Sequence, residues 1–78
     1  MLAAALEHLV KGIVDHPDEV QVSEKNSSRG DVLEVRVHPE DLGRVIGRAG
    51  RTAKALRTLV SALADGRKVR VDVVDTDF

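Results

Sequence analysis

The sequence has no cysteine among its 78 residues. It therefore has no disulfide framework, no thiolate metal site and no cysteine nucleophile, and nothing in it marks an oxidising compartment. The longest unbroken apolar stretch near the start, Met1 to Leu6, is far shorter than the roughly 20 residues that span a bilayer. We expect no signal peptide, no membrane-spanning segment and no membrane partner, and hence a cytoplasmic protein.

Acidic residues are missing from one long window, Leu42 to Ala64, although the chain has 13 of them and a net charge of -1. The window carries a charge of +5, which leaves 7 basic and 13 acidic residues, a charge of -6, for the rest of the chain. Its basic residues are Arg44, Arg48, Arg51, Lys54 and Arg57. A basic surface on an otherwise acidic domain indicates where an anion would bind, and an ordinary solvated helix surface is the alternative interpretation.

The spacing of apolar residues predicts six elements in a single domain that spans residues 1–78. The first is a helix with apolar residues at every third or fourth position, and it ends near Asp15. Two alternating segments, Val20 to Lys25 and Leu33 to Val37, then predict a hairpin around the polar loop Asn26 to Gly30.

Two helices and a strand follow the predicted hairpin. They are a short helix from about Pro39 to Ile46, a longer helix that carries Ala53, Leu56, Leu59, Val60 and Leu63 on one face and stops at Gly66, and a strand with Val69, Val71 and Val73. The residues from about Asp75 to Phe78 show no periodicity, and we expect an irregular tail there.

This order of elements, α-β-β-α-α-β, predicts an α+β fold with a mixed three-stranded sheet. The hairpin makes the first two strands antiparallel, and the return through two helices permits the last strand to lie parallel to the second. We expect one face of the sheet to be covered by the first helix and by the helix that begins near Arg51.

Two glycines flank two residues between the predicted central helices, in the segment Val45-Ile46-Gly47-Arg48-Ala49-Gly50-Arg51. Such a pair is a weak signal by itself, because a plain turn between helices also uses glycine. The context strengthens the signal, since the second helix begins at the turn and every charge beside it is positive.

Each residue type in this segment suits the binding of a nucleic-acid backbone. Glycines let a phosphodiester approach closely because no Cβ stands in the way, and the free N–H groups at the start of the next helix point at the anion. Ala49 keeps the turn small, and Val45 and Ile46 offer apolar surface to a nucleobase. Mobile cations are supplied by Arg48, Arg51 and Lys54.

The segment and the order of elements resemble a KH domain of the type II arrangement, and the likeness covers nearly the whole chain. A chain of this length with little else in it resembles the small bacterial KH proteins of the KhpA (YlqC) family. The resemblance implies that Gly47 to Gly50 grips about four nucleotides of single-stranded RNA or DNA. The RNA-binding residues implied in this way are Val45, Ile46, Gly47, Arg48, Ala49, Gly50, Arg51 and Lys54.

The resemblance also implies a biological setting. It is that of a cytoplasmic RNA-binding protein, an RNA chaperone or post-transcriptional regulator, which forms a homodimer or a heterodimer with a larger, KhpB-like KH protein. Some members of the family act in cell-envelope homeostasis and in the control of cell length and shape. The near absence of aromatic residues fits a KH groove, which can use aliphatic surface where other RNA-binding folds stack bases on aromatic rings. Phe78, the single aromatic residue, is in the tail and offers no stacking surface.

The residues give no support to an enzyme or a cofactor-binding protein. Gly50-Arg51-Thr52 imitates only the end of a phosphate-binding P-loop, and Val45 stands where that pattern and the dinucleotide-binding pattern need glycine. No metal-ligand spacing relates the three histidines, which lie in separate segments: His8, His16 and His38. We predict no catalytic residue, no metal site and no cofactor, and we expect His38 to flank or cap the start of the helix that begins at Pro39.

A second class of function stays open beside RNA binding. It is a protein-interaction module, used for dimerisation, with a KH fold and little RNA binding of its own. The intact Gly47-Arg48-Ala49-Gly50 loop favours RNA binding, because a pure scaffold would not need two glycines and a cation at that turn.

Overall fold

A computed structural model of the chain describes residues 2–74, so the expected tail at residues 75–78 lies outside the described part. The helices and strands in this part are α1 Leu2–Lys11, β1 Gln21–Ser27, β2 Gly30–Arg36, α2 Leu42–Ile46, α3 Arg51–Ala64 and β3 Val69–Val73. Short 3-10 turns lie at Pro17–Glu19, Pro39–Asp41 and Arg48–Gly50. The predicted order of elements is confirmed.

The sheet has the predicted mixed topology, with β2 in the centre. β1 pairs with β2 antiparallel, and β3 pairs with β2 in parallel. In this register Val22, Val35 and Val73 lie side by side across the three strands. The α+β prediction, with a mixed three-stranded sheet, is therefore confirmed.

The core lies between one face of the sheet and the helices α1 and α3, which pack against β1, against β3 and against each other. Each buried valine or leucine side chain contributes roughly 1.5–3 kcal/mol to folding. The largest fully buried apolar side chains are Leu6, Val10, Leu33, Val35, Val45 and Val60. The predicted covering of one sheet face by these two helices is confirmed.

Three element boundaries differ from the expectation. The first helix ends at Lys11 rather than near Asp15. The hairpin is tighter than predicted, because the strands continue to Ser27 and resume at Gly30. The Ser27 hydroxyl donates to the Gly30 carbonyl and accepts from the Arg29 N–H, which lets the turn close with two residues. The short helix begins as a 3-10 turn at Pro39–Asp41 and continues as α2 from Leu42.

The apolar face of α3 is only partly covered. Leu56 and Val60 are buried as expected, but Leu59 is 48% exposed and Leu63 is 56% exposed. At about 100° per residue, these two leucines lie to one side of the buried row, beyond the surface that the sheet covers. The prediction that they share the core face is therefore wrong.

None of the helices in residues 2–74 combines the length and the apolar character that crossing a membrane requires.

Candidate nucleic-acid interface

The loop between α2 and α3 has an unusual backbone. Gly47 has φ 79° and ψ 170°, Ala49 has φ 57°, and Gly50 has φ 74°. At Gly47 a Cβ would lie 2.7 Å from the backbone nitrogen of Thr52 and would overlap its side chain, so this position excludes any larger residue. At Gly50 a Cβ would meet nothing within 4 Å, so the surface there is open to an approaching ligand.

The first turn of α3 has no side-chain cap. Its N-cap residue, Gly50, provides no side-chain hydrogen bond, and no acidic residue lies in the first turn. The Arg51 N–H pairs with the Arg48 carbonyl, and the positive end of the helix dipole favours an anion at this position.

Three of the five basic residues in the window between Leu42 and Ala64 surround this loop. Within residues 2–74 they form no ion pair, and their side chains are exposed. They are Arg48, Arg51 and Lys54. The loop therefore places exposed cations beside the positive end of the α3 dipole.

The other two basic residues have structural contacts. The Arg44 guanidinium lies 3.1 Å from the Asp15 carboxylate, and Arg57 Nε donates to the Val71 carbonyl at 3.2 Å. Arg44 thus ties α2 to the segment after α1, and Arg57 ties α3 to β3. Sequence charge alone does not distinguish these two residues from the three free cations.

The two apolar residues before the loop have different environments. Ile46 is 39% exposed, so it can offer apolar surface to a base. Val45 is fully buried in the core, because the helical turn directs it towards α3 and the sheet. The expectation that the Val45 side chain faces a base is therefore wrong, because this side chain packs in the core next to the loop.

A buried carboxylate fixes the start of α2. Asp41 is 1% exposed, and its oxygens accept hydrogen bonds from the backbone N–H groups of Asp15 and His16 at 3.3 and 2.9 Å. The same carboxylate contacts Nδ1 of His16 at 2.9 Å. The segment that follows α1 is thereby attached to the element that leads into the loop.

These contacts shift two pKa values. The hydrogen bond to Asp41 raises the pKa of His16 above its usual value, although burial opposes the shift. Burial raises the pKa of Asp41, but hydrogen bonds from the His16 side chain and from the backbone of His16 and Asp15 outweigh it, so the net pKa is lowered. Both shifts favour the charged forms of the pair.

His16 also stacks on His38, with ring centroids 4.1 Å apart and an interplanar angle of 13°. Sequence reasoning missed this contact because the two histidines are far apart in the chain. A signal was present, since each begins a similar segment, His16-Pro17-Asp18-Glu19 and His38-Pro39-Glu40-Asp41. Both segments form 3-10 turns that begin at the proline.

The potential ligand atoms of His16, His38 and Glu40 lie within 4.8 Å of one another. However, Nδ1 of His38 accepts the Glu40 N–H at 3.0 Å, which confirms the predicted cap. In the neutral ring the proton is then on Nε2, which therefore has no lone pair for a metal ion. The stacked rings are also nearly parallel, so their in-plane lone pairs do not converge. This cluster is an arrangement of hydrogen bonds.

A protein-family model described as "KhpA/KhpB, KH domain" matches residues 3–74. The chain belongs to this KH-domain family. Family membership confirms the resemblance, and the α+β fold with its mixed sheet is that of a KH domain. The KhpA/KhpB family is one of RNA-binding KH proteins and is not an enzyme family.

Several relatives, each named "RNA-binding protein KhpA", are similar over nearly their whole length. The protein of Leifsonia xyli is 81% identical over 75 residues, which are 96% of this chain and 99% of that protein. The protein of Streptomyces coelicolor is 71% identical over 77 residues, 99% of this chain and 96% of that protein. The protein of Mycobacterium tuberculosis is 66% identical over 73 residues, 94% and 90% of the two chains. No solved structure matches the chain.

Proposed function

We propose that this chain is a single-stranded RNA-binding protein that grips the RNA backbone with the Gly47-Arg48-Ala49-Gly50 loop. The observation that carries the proposal is the coincidence at this loop of open space beside Gly50, a helix start without a side-chain cap, and three exposed cations that form no ion pair in residues 2–74. Membership of an RNA-binding family and the names of the relatives support it.

The strand crosses the loop with its phosphates against the start of α3. The backbone N–H groups and the side chains of Arg48, Arg51 and Lys54 neutralise the phosphates, and Ile46 contacts a base. With roughly two to four phosphates neutralised, the slope of log K against log salt for a single strand is about -1.4 to -2.8. The affinity of one domain is therefore modest, and its dependence on salt is shallow.

The test is a titration of short single-stranded RNA onto the wild type and onto the double variant Arg48→Asp with Ala49→Asp. Aspartate is among the residues that best tolerate the left-handed conformation of Ala49, so the turn is retained. Two negative charges are then present where the phosphate would bind. Circular dichroism confirms that both proteins fold. We expect the wild type to bind and the variant not to bind.

A matched control separates the site from net charge. Gln21→Glu with Arg36→Glu makes the same change in charge on two exposed residues that pair across β1 and β2. Both alternate with core residues, so they lie on the sheet face away from the helices. This control is expected to retain RNA binding. Equal binding by the wild type and the loop variant, or no binding by the wild type, would leave the alternative of a protein-interaction module.

The role of the bound RNA is the finer part of the proposal. A cytoplasmic RNA chaperone or post-transcriptional regulator binds strands weakly and releases them, which a backbone clamp without extensive base contacts permits. We expect the wild type to accelerate the annealing of two complementary RNA strands, followed by fluorescence energy transfer, and the loop variant to lose the acceleration. Unchanged annealing rates in the presence of bound wild type would contradict a chaperone role.

Dimerisation with a second copy, or with a larger KhpB-like KH protein, is proposed to use the apolar side of α3. Leu59 and Leu63 are half exposed there, and a groove of about 380 Å³ between α1 and α3 is lined by Leu9, Ile13 and Leu59 among others. A domain of this size has a small core, so covering such a surface stabilises it.

The second copy is tested by light scattering after size exclusion. Leu59→Glu with Leu63→Glu is expected to convert a dimer to a monomer, because two carboxylates are placed in an apolar contact. Thr58→Glu with Ala62→Glu has the same charge and spacing on the same helix, at exposed positions outside the groove, and is expected to stay dimeric. A wild type that is monomeric alone and in the presence of a KhpB-like protein would refute this surface.

A further inference from the structure

Thr52, in the first turn of α3, touches the first glycine of the Gly47–Gly50 loop. A Cβ added at Gly47 would overlap the Thr52 hydroxyl oxygen and would lie 2.7 Å from the Thr52 Cβ. Thr52 is partly buried, and it also lines the groove between α1 and α3. Its side chain therefore lies between that groove and the backbone of the loop.

The loop has a backbone that its surroundings must hold in place. Three of its four residues have positive φ, Gly47, Ala49 and Gly50, and one of these three is not a glycine. Backbone in sparsely populated conformations persists only where the surrounding structure determines it. Glycine also has the most conformations available to it, so the two glycines leave the loop free to adopt others.

Hydrogen bonds restrain the loop along its own backbone. The Gly47 N–H donates to the Gly43 carbonyl at 2.8 Å, and the Gly50 N–H donates to the Gly47 carbonyl at 3.1 Å. Outside its chain neighbours, the three atoms nearest to a Cβ at Gly47 all belong to Thr52, whereas a Cβ at Gly50 would meet nothing within 4 Å. The loop is therefore packed against a side chain at its first glycine and open at its second.

Thr52 can restrict the loop because its own position is fixed. It precedes Ala53 in α3, and both Ala53 and Leu56 of this helix are buried in the core. Its β-branched side chain has restricted rotation about χ1 in a helix. Within residues 2–74 its hydroxyl forms no hydrogen bond, so we expect the shape of the side chain to matter more than its polarity.

We propose that Thr52 is a positioning residue for RNA binding, and this inference rests on the proposed function. Its side chain restricts Gly47 to the conformation in which the loop receives the RNA backbone. A site that is ordered before binding loses less conformational entropy on binding, and its affinity is higher for that reason. Thr52 thus raises the affinity of the loop without contacting the RNA.

The experiment measures the affinity of an RNA of about 5 nucleotides for the wild type, Thr52→Ala and Thr52→Val. Alanine removes the hydroxyl and the methyl group beside Gly47, whereas valine keeps the shape of threonine and has no hydroxyl. Thr58→Ala is the matched control, because it makes the same change at an exposed position of the same helix, where the hydroxyl donates to the Lys54 carbonyl. Thermal melts give the stability of each protein.

We expect Thr52→Ala to weaken RNA binding about fivefold, the cost of ordering the backbone of one residue. Thr52→Val and Thr58→Ala should bind like the wild type. The melting temperature of Thr52→Ala should change little, because alanine favours a helix more than threonine does and so offsets the lost contact. A loss of affinity without a loss of stability distinguishes a positioning role from a structural one.

The contact itself is tested by urea unfolding of Gly47→Ala with and without Thr52→Ala. We expect Gly47→Ala to destabilise the chain less when Thr52→Ala is present, because the overlap with the hydroxyl is removed while the backbone strain remains. An equal loss of stability in both backgrounds would show that Thr52 does not restrict Gly47.

Two results of the RNA titrations would overturn the inference. One is wild-type affinity in Thr52→Ala. The other is an equal loss of affinity in Thr52→Ala and Thr52→Val, which would show that the hydroxyl contacts the RNA directly. The Arg48→Asp, Ala49→Asp variant shows separately whether the loop binds RNA, and a wild type that binds no RNA removes both proposals.

Discussion

The two ends of the five-residue helix α2 use their polar groups in opposite ways. At its start, the buried Asp41 carboxylate accepts hydrogen bonds from Asp15 and His16. At its end, Gly50 borders open space, and Arg48 has no ionic partner in residues 2–74. One end is saturated with contacts from within the chain, and the other is left open for a contact from outside it.

This difference teaches how a short helix can position a binding loop. α2 is only about 7.5 Å long, so its direction depends on the contacts at its first turn. Asp41 anchors that turn to the segment after α1, and Val45 seats the helix in the core. The end of α2 can therefore leave Arg48 without an ionic partner in residues 2–74 and still keep its orientation.

The largest expected effect comes from disrupting the start of α2, which the Asp41 carboxylate holds and which we call the fixed end. Asp41→Asn replaces an acceptor for several donors with a group that places its own N–H₂ among them, which leaves buried polar groups unpaired. We expect a larger decrease in melting temperature than for any other single substitution proposed for this chain, together with weaker RNA binding because α2 loses its anchor. Thermal melts and RNA titrations measure the two effects.

Asp15→Asn is the matched control for this change, since the same substitution is made in an exposed carboxylate that pairs with Arg44. Its effect on the melting temperature should be small, because exposed ion pairs contribute little. Equal effects of the two substitutions would show that the buried carboxylate does not fix the helix.

The open end has two glycines that we expect to differ. Gly47→Ala should destabilise the fold by about 1–3 kcal/mol from backbone strain alone, with overlap on Thr52 adding to this, because its φ and ψ belong to a region that is essentially restricted to glycine. Gly50→Ala should cost only about 1–2 kcal/mol, the penalty of the left-handed conformation, since its Cβ meets open space. Urea unfolding gives both values, and an equal loss at the two positions would contradict the different packing.

The fixed end should also give stability a dependence on pH. The pKa of His16 is raised in the folded state. The contribution of His16 to the free energy of unfolding is therefore full below about pH 6.5 and is lost as the pH rises through the higher folded pKa. The pKa of Asp41 is lowered from 3.8 in the folded state. The contribution of Asp41 to the free energy of unfolding is therefore full above pH 3.8 and is lost as the pH falls through the lower folded pKa. The pair therefore stabilises most between these two limits.

The measurement is the difference in melting temperature between the wild type and His16→Gln, which keeps a donor near Asp41 without titrating. Taking the difference removes the contributions of the other histidines. We expect the wild-type advantage to be larger near pH 5 than near pH 8, in accordance with the raised pKa of His16. An advantage that is constant over this range would show that the charge of His16 does not contribute.

Most of the fold could be predicted from the sequence, because apolar periodicity reports which side of each element is buried. The order of elements, the parallel return of β3 and the glycine turn after Ile46 all follow from such local patterns. Periodicity does not report how much of an apolar arc a neighbour covers, and this is why it assigns Leu59 and Leu63 to the core although they are half exposed. The local pattern also places Val45 at the surface of the interface, although the fold buries this residue.

The contacts that distinguish the two ends of α2 could not be predicted in this way. The hydrogen bond from His16 to Asp41 joins residues 25 positions apart, and no local spacing encodes it. The same applies to the basic residues, since Arg44 and Arg48 look alike in sequence. Arg44 pairs with Asp15, whereas Arg48 forms no ion pair within residues 2–74.

The smallest expected effects come from those two arginines. Arg48→Gln should flatten the log–log salt slope of RNA binding by about 0.7, the contribution of one phosphate contact. Its effect on stability should be negligible, because it pairs with nothing in residues 2–74. Arg44→Gln should do the reverse. It should lower the free energy of unfolding by at most about 1 kcal/mol, because an exposed ion pair contributes little, and should leave the salt slope unchanged.

Salt-dependent titrations and urea unfolding of both variants measure this pair of effects. The substitution is identical, the two residues are four positions apart, and the change in net charge is the same, so neither net charge nor residue type can explain a difference. If Arg44→Gln flattens the slope as much as Arg48→Gln does, then the ion pair with Asp15 opens when RNA binds. The fixed end of α2 would then belong to the interface as well, and the RNA would contact the full length of the helix.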